Sequence, residues 1–299
     1  MSRCLGTLLG VVAFAYIDDI IVFSNSIEDH MRDLEKVLMK ISEANLKIKL
    51  SKCEFFKTEV RYLGFIISKN GLSYPKNKKV AEAPIPKSTK ELQRFLGTCN
   101  FVRKFIPAFS EIAKPLYHLL RKDVKYDFNA DCIKSYNKLK ELINSTPVLA
   151  HPDFTKCFYL FTDASNTGIG AVLMQTASNG KDLRPIEYFS KTLSKVQMKY
   201  STTKKECSAL VTAIKKFQYT ISGYPLTVLT DHRPLTYMFS KKLPTDAALA
   251  RWCLSLQGFS LELKYYPGKN NVVADYLSRL EEPPNELDIK NCETLINHD

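Results

Sequence analysis

Residues 161–175 read FTDASNTGIGAVLMQ, and this stretch decides the fold of the C-terminal half. A β-rich run over 157–162 ends at Asp163, Asn166 to Gly168 supply a turn, and a second apolar run covers 170–175. Two such runs across a short Gly-containing turn predict consecutive paired strands. Downstream, 184–189 predict a third strand, 202–217 a helix and 226–230 a fourth strand. A second helical region, a strand over 261–266 and a last helix over 271–280 complete the pattern, and an acidic, Pro-containing tail follows from Glu281. Three strands, helix, strand, helical segments, strand and helix describe a mixed sheet flanked by helices. No internal repeat or low-complexity tract interrupts it.

Four acids occupy corresponding places in that pattern. Asp163 and Asp231 each follow a threonine at a strand terminus, Glu206 lies on the intervening helix, and Asp275 lies on the last helix. Strand ends are where sites form in sheets flanked by helices. Mutually repelling carboxylates in one low-dielectric site need a neutralising partner, and hard oxygen donors select Mg²⁺ or Mn²⁺. Two such ions about 4 Å apart can position a water and stabilise both the attacking and the leaving oxygen in phosphodiester hydrolysis. Each aspartate taken singly reads equally well as a turn or cap residue; the four together do not. His232 either approaches a phosphate or orients the turn after Asp231, and Tyr200 and Arg233 are candidates for substrate contact.

The N-terminal half carries a different signal. Residues 11–16 and 20–23 are short β-rich runs flanking Asp18 and Asp19, which predicts a hairpin. The apolar run over 5–17 reads as a core strand, being too short to span a bilayer. Ser26 is placed to cap a helix with Asp29 at N3, and Met31, Leu34, Val37, Leu38 and Ile41 form its apolar stripe. A strand is expected over 47–56, then a second hairpin pairing 60–68 with 72–74 around Asn70 and Gly71. Pro84 and Pro86 mark a boundary near residue 86. Beyond it, Ser88 and Glu91 form a capping-box pattern with Leu92, Phe95 and Leu96 on one face. Residues 88–149 read as helical throughout, divided by Pro107, Pro115 and Pro147.

Composition narrows the function. Lys plus Arg number 43 against 31 for Asp plus Glu, a formal net charge of +12, with the excess spread along the chain. That distribution suits a broad groove for a polyanion better than a basic tail. Eight cysteines occur without a CxxC pair or a metal-ligand cluster, which points to buried free thiols and a reduced compartment. The 45% hydrophobic content over 299 residues is enough for about two domains.

FTDASNTGIGAVLMQ, YSTTKKE (200–206), LTDHRPL (229–235) and KYYPGKNNVVADYLSR (264–279) closely resemble the ribonuclease H domain of Gypsy-type LTR retrotransposon polyproteins. YIDDIIVFS (16–24) resembles the reverse transcriptase palm motif. KCEFF (52–56) and YLGF (62–65) also resemble the family, the latter its primer grip, and LQRFLG (92–97) with FVRKFIP (101–107) resemble its thumb. The resemblance implies an α+β and α/β multidomain chain: a partial palm over 1–86, a small helical thumb/connection over 87–150, a ribonuclease H-like domain over 151–280 and an acidic tail over 281–299. It implies that Asp163, Glu206, Asp231 and Asp275 are catalytic metal ligands, that Asp18 binds catalytic metal, and that Asp19 belongs to the same motif. Tyr62, Leu63 and Gly64 would then touch nucleic acid. The histidine that retroviral relatives often place before the last Asp is replaced here by Tyr265, Tyr266 and Pro267.

The expected activity is Mg²⁺-dependent (or Mn²⁺-dependent) cleavage of RNA in an RNA–DNA hybrid. Template-primer and other parts of a Pol polyprotein are the further expected partners, and no membrane is involved. The expected setting is intracellular: cytoplasm, virus-like particle or nucleus. Independent polymerisation is not expected, since the strand bearing the family's first palm aspartate has no counterpart before Val11. The alternative reading is an inactive nucleic-acid-binding remnant.

Overall fold

A computed structural model describes residues 2–177, 182–238 and 244–267, which divide into two compact units after Leu72. The first begins with a one-turn helix α1 (Ser2–Leu5) and a 3-10 turn, then a hairpin of β1 (Ala13–Tyr16) and β2 (Asp19–Val22) with Tyr16 opposite Asp19. The expected strand over 5–17 is therefore confined to its last third. Gly6 and Gly10 adopt φ of +51° and +81°, turning the chain before it can extend. Ser26 caps α2 (Ile27–Glu43), its hydroxyl accepting from the Asp29 amide at 3.1 Å. Val37 and Ile41 pack with Leu5 and Ala13 in a small core, while Met31 and Leu38 of the predicted stripe stay exposed. One helix over one hairpin buries only a narrow face.

Two further expectations in this unit are corrected. Residues 47–56 contain a 3-10 turn (Leu50–Lys52) and no strand; Leu50 and, to a lesser degree, Ile48 are exposed, and among the described residues no neighbouring strand pairs with this run. Residues 60–68 hold two strands: β3 (Glu59–Tyr62) and β4 (Phe65–Ser68) pair across Leu63 and Gly64, both left-handed at φ +50° and +84°. Positive φ at both central residues matches the twist of a two-residue hairpin. β5 (Gly71–Ser73) completes a sheet in the order β3-β4-β5, so the hairpin expected around Asn70 and Gly71 is formed as the second turn of a meander.

In the second unit a short α3 (Lys78–Ala81) precedes α4 (Thr89–Val102). Ser88 accepts from the Glu91 amide at 3.3 Å, and the Glu91 carboxylate accepts from the Lys87 amide at 2.8 Å. Then come α5 (Phe109–Ile112), α6 (Lys114–His118) and α7 (Ala130–Asn144). The stretch is not helical throughout: residues 121–129 are turns and extended chain, ending in Asn129, which caps α7. Leu92, Phe95, Leu96, Leu116, Tyr136 and Leu139 are buried in these helices.

The strands expected from residue 157 onward are all present. β6 (Phe158–Ala164), β7 (Gly168–Thr176) and β8 (Leu183–Thr192) run antiparallel in sequence. α8 (Thr202–Ile221) returns the chain to β9 (Leu226–Thr230), which lies parallel to β6; α9 (Arg233–Met238), α10 (Ala247–Ser255) and β10 (Leu261–Tyr265) follow. The sheet order is β10-β9-β6-β7-β8. Leu210, Ile214, Phe217 and Ile221 recur at helical spacing on α8 and are buried with Phe158, Leu160, Leu173 and Val228 of the sheet. Each such side chain contributes about 1.5–3 kcal/mol. The helical module seats on the β8 edge: Arg103 Nη2 donates to the Ser190 carbonyl at 3.0 Å, and the Ser110 amide to Ser190 Oγ at 2.9 Å.

Candidate functional site

The site follows from strand register. β6 and β9 are parallel neighbours with Phe161 level with Leu229. Two residues further along each, that register sets Asp163 level with Asp231, so residues far apart in sequence finish at the same sheet end. Gly170 of β7 stands opposite Asp163 and adds no side chain. α8 crosses this part of the sheet and delivers Glu206 from its first turns. One carboxylate oxygen from each of Asp163, Glu206 and Asp231 lies within 4.8 Å of the others, with Asp163 and Glu206 buried and Asp231 half-buried.

Three carboxylates this close are mutually repulsive, and no histidine or cysteine belongs to the cluster. An all-oxygen, anionic donor set is what a hard divalent cation requires. The site is competent to bind a divalent metal. Asp275, the fourth expected ligand, lies outside the described residues. The chain heads for that segment from beside the triad, since the Tyr266 amide donates to the Thr230 carbonyl at 2.8 Å and its ring packs edge-on against Phe161.

His232 is anchored rather than free to swing. Its amide donates to Thr230 Oγ1 at 3.2 Å, and Nε2 lies 3.0 Å from Thr203 Oγ1 on α8. Burial pushes its imidazole below the usual histidine range, with the Asp231 carboxylate opposing. The exposed Arg233 guanidinium stacks over the Tyr265 ring, 4.4 Å from its centroid, and Tyr200 lies 6.1 Å ring to ring from Trp252.

The two remaining acids stand on the N-terminal hairpin. Asp18 and Asp19 are exposed, and the residue before them, Ile17, has φ +54°. A β-branched residue there is strained, and the turn holds Asp18 at its tip. Tyr62 Oη reaches the Asp19 carbonyl at 3.5 Å, so the YLGF turn adjoins the YIDD turn; Leu63 and Gly64 are exposed beside it. Among the described residues Asp18 and Asp19 join no third metal-ligating side chain.

Sequence reasoning did not find the residues that tie α8 to its neighbours. Lys205 Nζ donates to Asn166 Oδ1 at 2.9 Å, and Lys204 Nζ pairs with Asp246 Oδ2 at 2.6 Å. Two lysines before a glutamate read as solvated surface; Lys205 is 9% exposed.

Residues 153–259 match the family of RNase H-like domains found in reverse transcriptase, and residues 1–67 match reverse transcriptase (RNA-dependent DNA polymerase). The retrovirus-related Pol polyproteins from transposons 297 and opus of Drosophila melanogaster are each 40% identical, over 94% and 93% of this chain. The transposon Tf2-3 polyprotein of Schizosaccharomyces pombe is 39% identical over 89%. The chain spans 26%, 29% and 20% of those relatives, about a quarter of their length. Among solved structures, the foamy viral protease-reverse transcriptase in complex with RNA/DNA hybrid superposes at TM-score 0.76 (23% identity, 95% of this chain, 38% of the other). The same protein's complex with dsDNA superposes at 0.75 (25% identity, 87% and 56%). Among the described residues no helix is long and apolar enough to cross a membrane.

Proposed function

Because this chain is related to the Pol polyproteins of Gypsy-type LTR retrotransposons, with a reverse transcriptase segment and a ribonuclease H-like domain, we propose that it hydrolyses the RNA strand of an RNA–DNA hybrid. The observation that carries this reading is the carboxylate triad at the end of β6 and β9. Asp163, Glu206, Asp231 and, from the segment beyond β10, Asp275 would hold Mg²⁺ or Mn²⁺. When bound, such ions activate water and stabilise the leaving oxygen. The protein's own contribution is to fix Asp163 and Asp231 at the ends of two neighbouring strands and Glu206 on the helix beside them, to hold His232 away from metal duty through Thr203, and to offer Arg233 and Tyr200 to the nucleic-acid backbone. Recognition rests on phosphates, 2′-hydroxyls and shape, for which a net charge of +12 is suited.

We assign the nuclease to residues 151–280 and a thumb-like role to 87–150. Asp18 and Asp19, with Tyr62, Leu63 and Gly64, form a polymerase-type palm element that needs a further carboxylate from elsewhere to complete a two-metal site. Template-primer and other Pol segments are the proposed partners, in the cytoplasm, a particle or the nucleus. The test is incubation of the purified chain with end-labelled RNA–DNA hybrid. RNA cleavage should require Mg²⁺ or Mn²⁺ and vanish in Asp163→Asn. Folded protein that leaves the hybrid intact under both metals would refute it, in favour of a binding remnant.

A further inference from the structure

The first turn of α8 contacts three different segments through three consecutive residues. Successive residues on a helix point about 100° apart, so one turn can be anchored on three sides. Thr203 meets His232, next to Asp231; Lys204 pairs with Asp246, the cap of α10; and Lys205 donates to Asn166, in the turn after Asp163. Two of these links lead to the other two carboxylates of the triad, and Glu206 follows them directly.

Lys205 is the most informative. Its stem is buried, the residue being 9% exposed, and its amine reaches the side-chain carbonyl of an exposed asparagine. Asn166 is not needed to form its own turn. Ser165 does that, its hydroxyl accepting from the Thr167 and Gly168 amides at 3.2 and 2.9 Å and donating to the Gly168 carbonyl at 3.1 Å. The Asn166 carbonyl is thus available to tie the β6–β7 turn to α8.

We propose that Lys205 and Asn166 are positioning residues for the metal centre: their hydrogen bond locks the Asp163 strand end to the Glu206 helix turn at the spacing a shared cation needs. The inference rests on reading the triad as a metal centre. It also makes a prediction opposite to that of charge alone. A lysine acting only through its charge repels the cation, so Lys205→Met would tighten metal binding. A clamp predicts that the same change weakens it, and that Asn166→Ala, which leaves the charge in place, weakens it too.

The experiment is calorimetric titration of the full chain with Mn²⁺, alongside thermal melting and hybrid cleavage. Lys205→Met and Asn166→Ala should each raise the Mn²⁺ Kd on the order of tenfold, with metal-free melting nearly unchanged. The double variant should be no worse than either single, since both remove one bond, and Lys205→Arg should restore most of the affinity. Tighter binding by Lys205→Met, unchanged binding by Asn166→Ala, or multiplying effects in the double variant would each overturn the clamp. Should Lys205→Met fail to fold, Asn166→Ala on its exposed turn still decides the matter. A parent chain that binds no Mn²⁺ sinks the metal-centre reading and the clamp with it; a parent that binds while the variants match it sinks the clamp alone.

Discussion

Asp163→Asn should make the metal-free protein more stable while removing its response to metal. At the 4.8 Å limit of the cluster, one pair of unit charges repels by about 3.5 kcal/mol at an effective dielectric of about 20, and by about 0.9 kcal/mol in bulk water. Asp163 faces two such partners, one buried and one half-buried, so its total repulsion lies between about 1.7 and about 7 kcal/mol. An amide in place of the carboxylate keeps the shape, and the cost of burying that polar group offsets part of the gain. A net gain of about 2 kcal/mol, at about 2–4 °C per kcal/mol for a domain of this size, raises Tm by about 4–8 °C. In the parent, Mn²⁺ at a hundred times its Kd adds about 2.7 kcal/mol; in the variant that increment should largely vanish. Thermal melts at pH 8, in EDTA and then in Mn²⁺, would show the order of stability reversing between the two conditions. A variant that melts below the parent in EDTA, or keeps a full Mn²⁺ shift, refutes the idea that the three charges converge on one cation.

Other outcomes follow from particular contacts. A Cβ added at Gly168 would sit 2.5 Å from Glu111 Oε1, a buried oxygen with no hydrogen-bond partner. That oxygen ends a flexible side chain that can swing aside, so Gly168→Ala should change stability in urea unfolding by no more than about 0.5 kcal/mol; a loss that Glu111→Ala then restores would mean the carboxylate is held in place. Burial pushes the Cys99 and Cys207 thiols up to about 12. In native protein at pH 8, iodoacetamide should therefore spare them and modify the half-buried Cys53 and Cys157, as peptide mass spectrometry would reveal. His232 is held below the ordinary histidine value of about 6.5, so the unfolded chain binds a proton that the folded chain lacks. Its contribution to stability is then complete above that value and is lost as pH falls from there through the lower folded pKa. The urea midpoint of His232→Gln should fall less than the parent's between pH 7 and pH 5; an equal or greater fall would refute the assignment.

The N-terminal hairpin, the β6–β7–β8 order, the helix bearing Glu206 and the identity of the three clustered acids were legible in the sequence. Each is written in local periodicity, caps and turns, which act over a few residues. The strand expected over 47–56 failed because alternation does not create a partner to pair with, and Val37 and Ile41 alone of the α2 stripe became core because one hairpin covers only one narrow face. What no local pattern contains is the parallel register that levels Asp163 with Asp231, or the meeting of Lys205 with Asn166. Both depend on where α8 and β9 come to rest on the sheet, and burial on that scale is a property of the assembled layers. FTDASNTGIGAVLMQ therefore determined by itself that a strand would end in an acid and turn back. Only the tertiary structure decided that two further acids would stand within 4.8 Å of it, and that a lysine would be buried where the sequence suggests solvent.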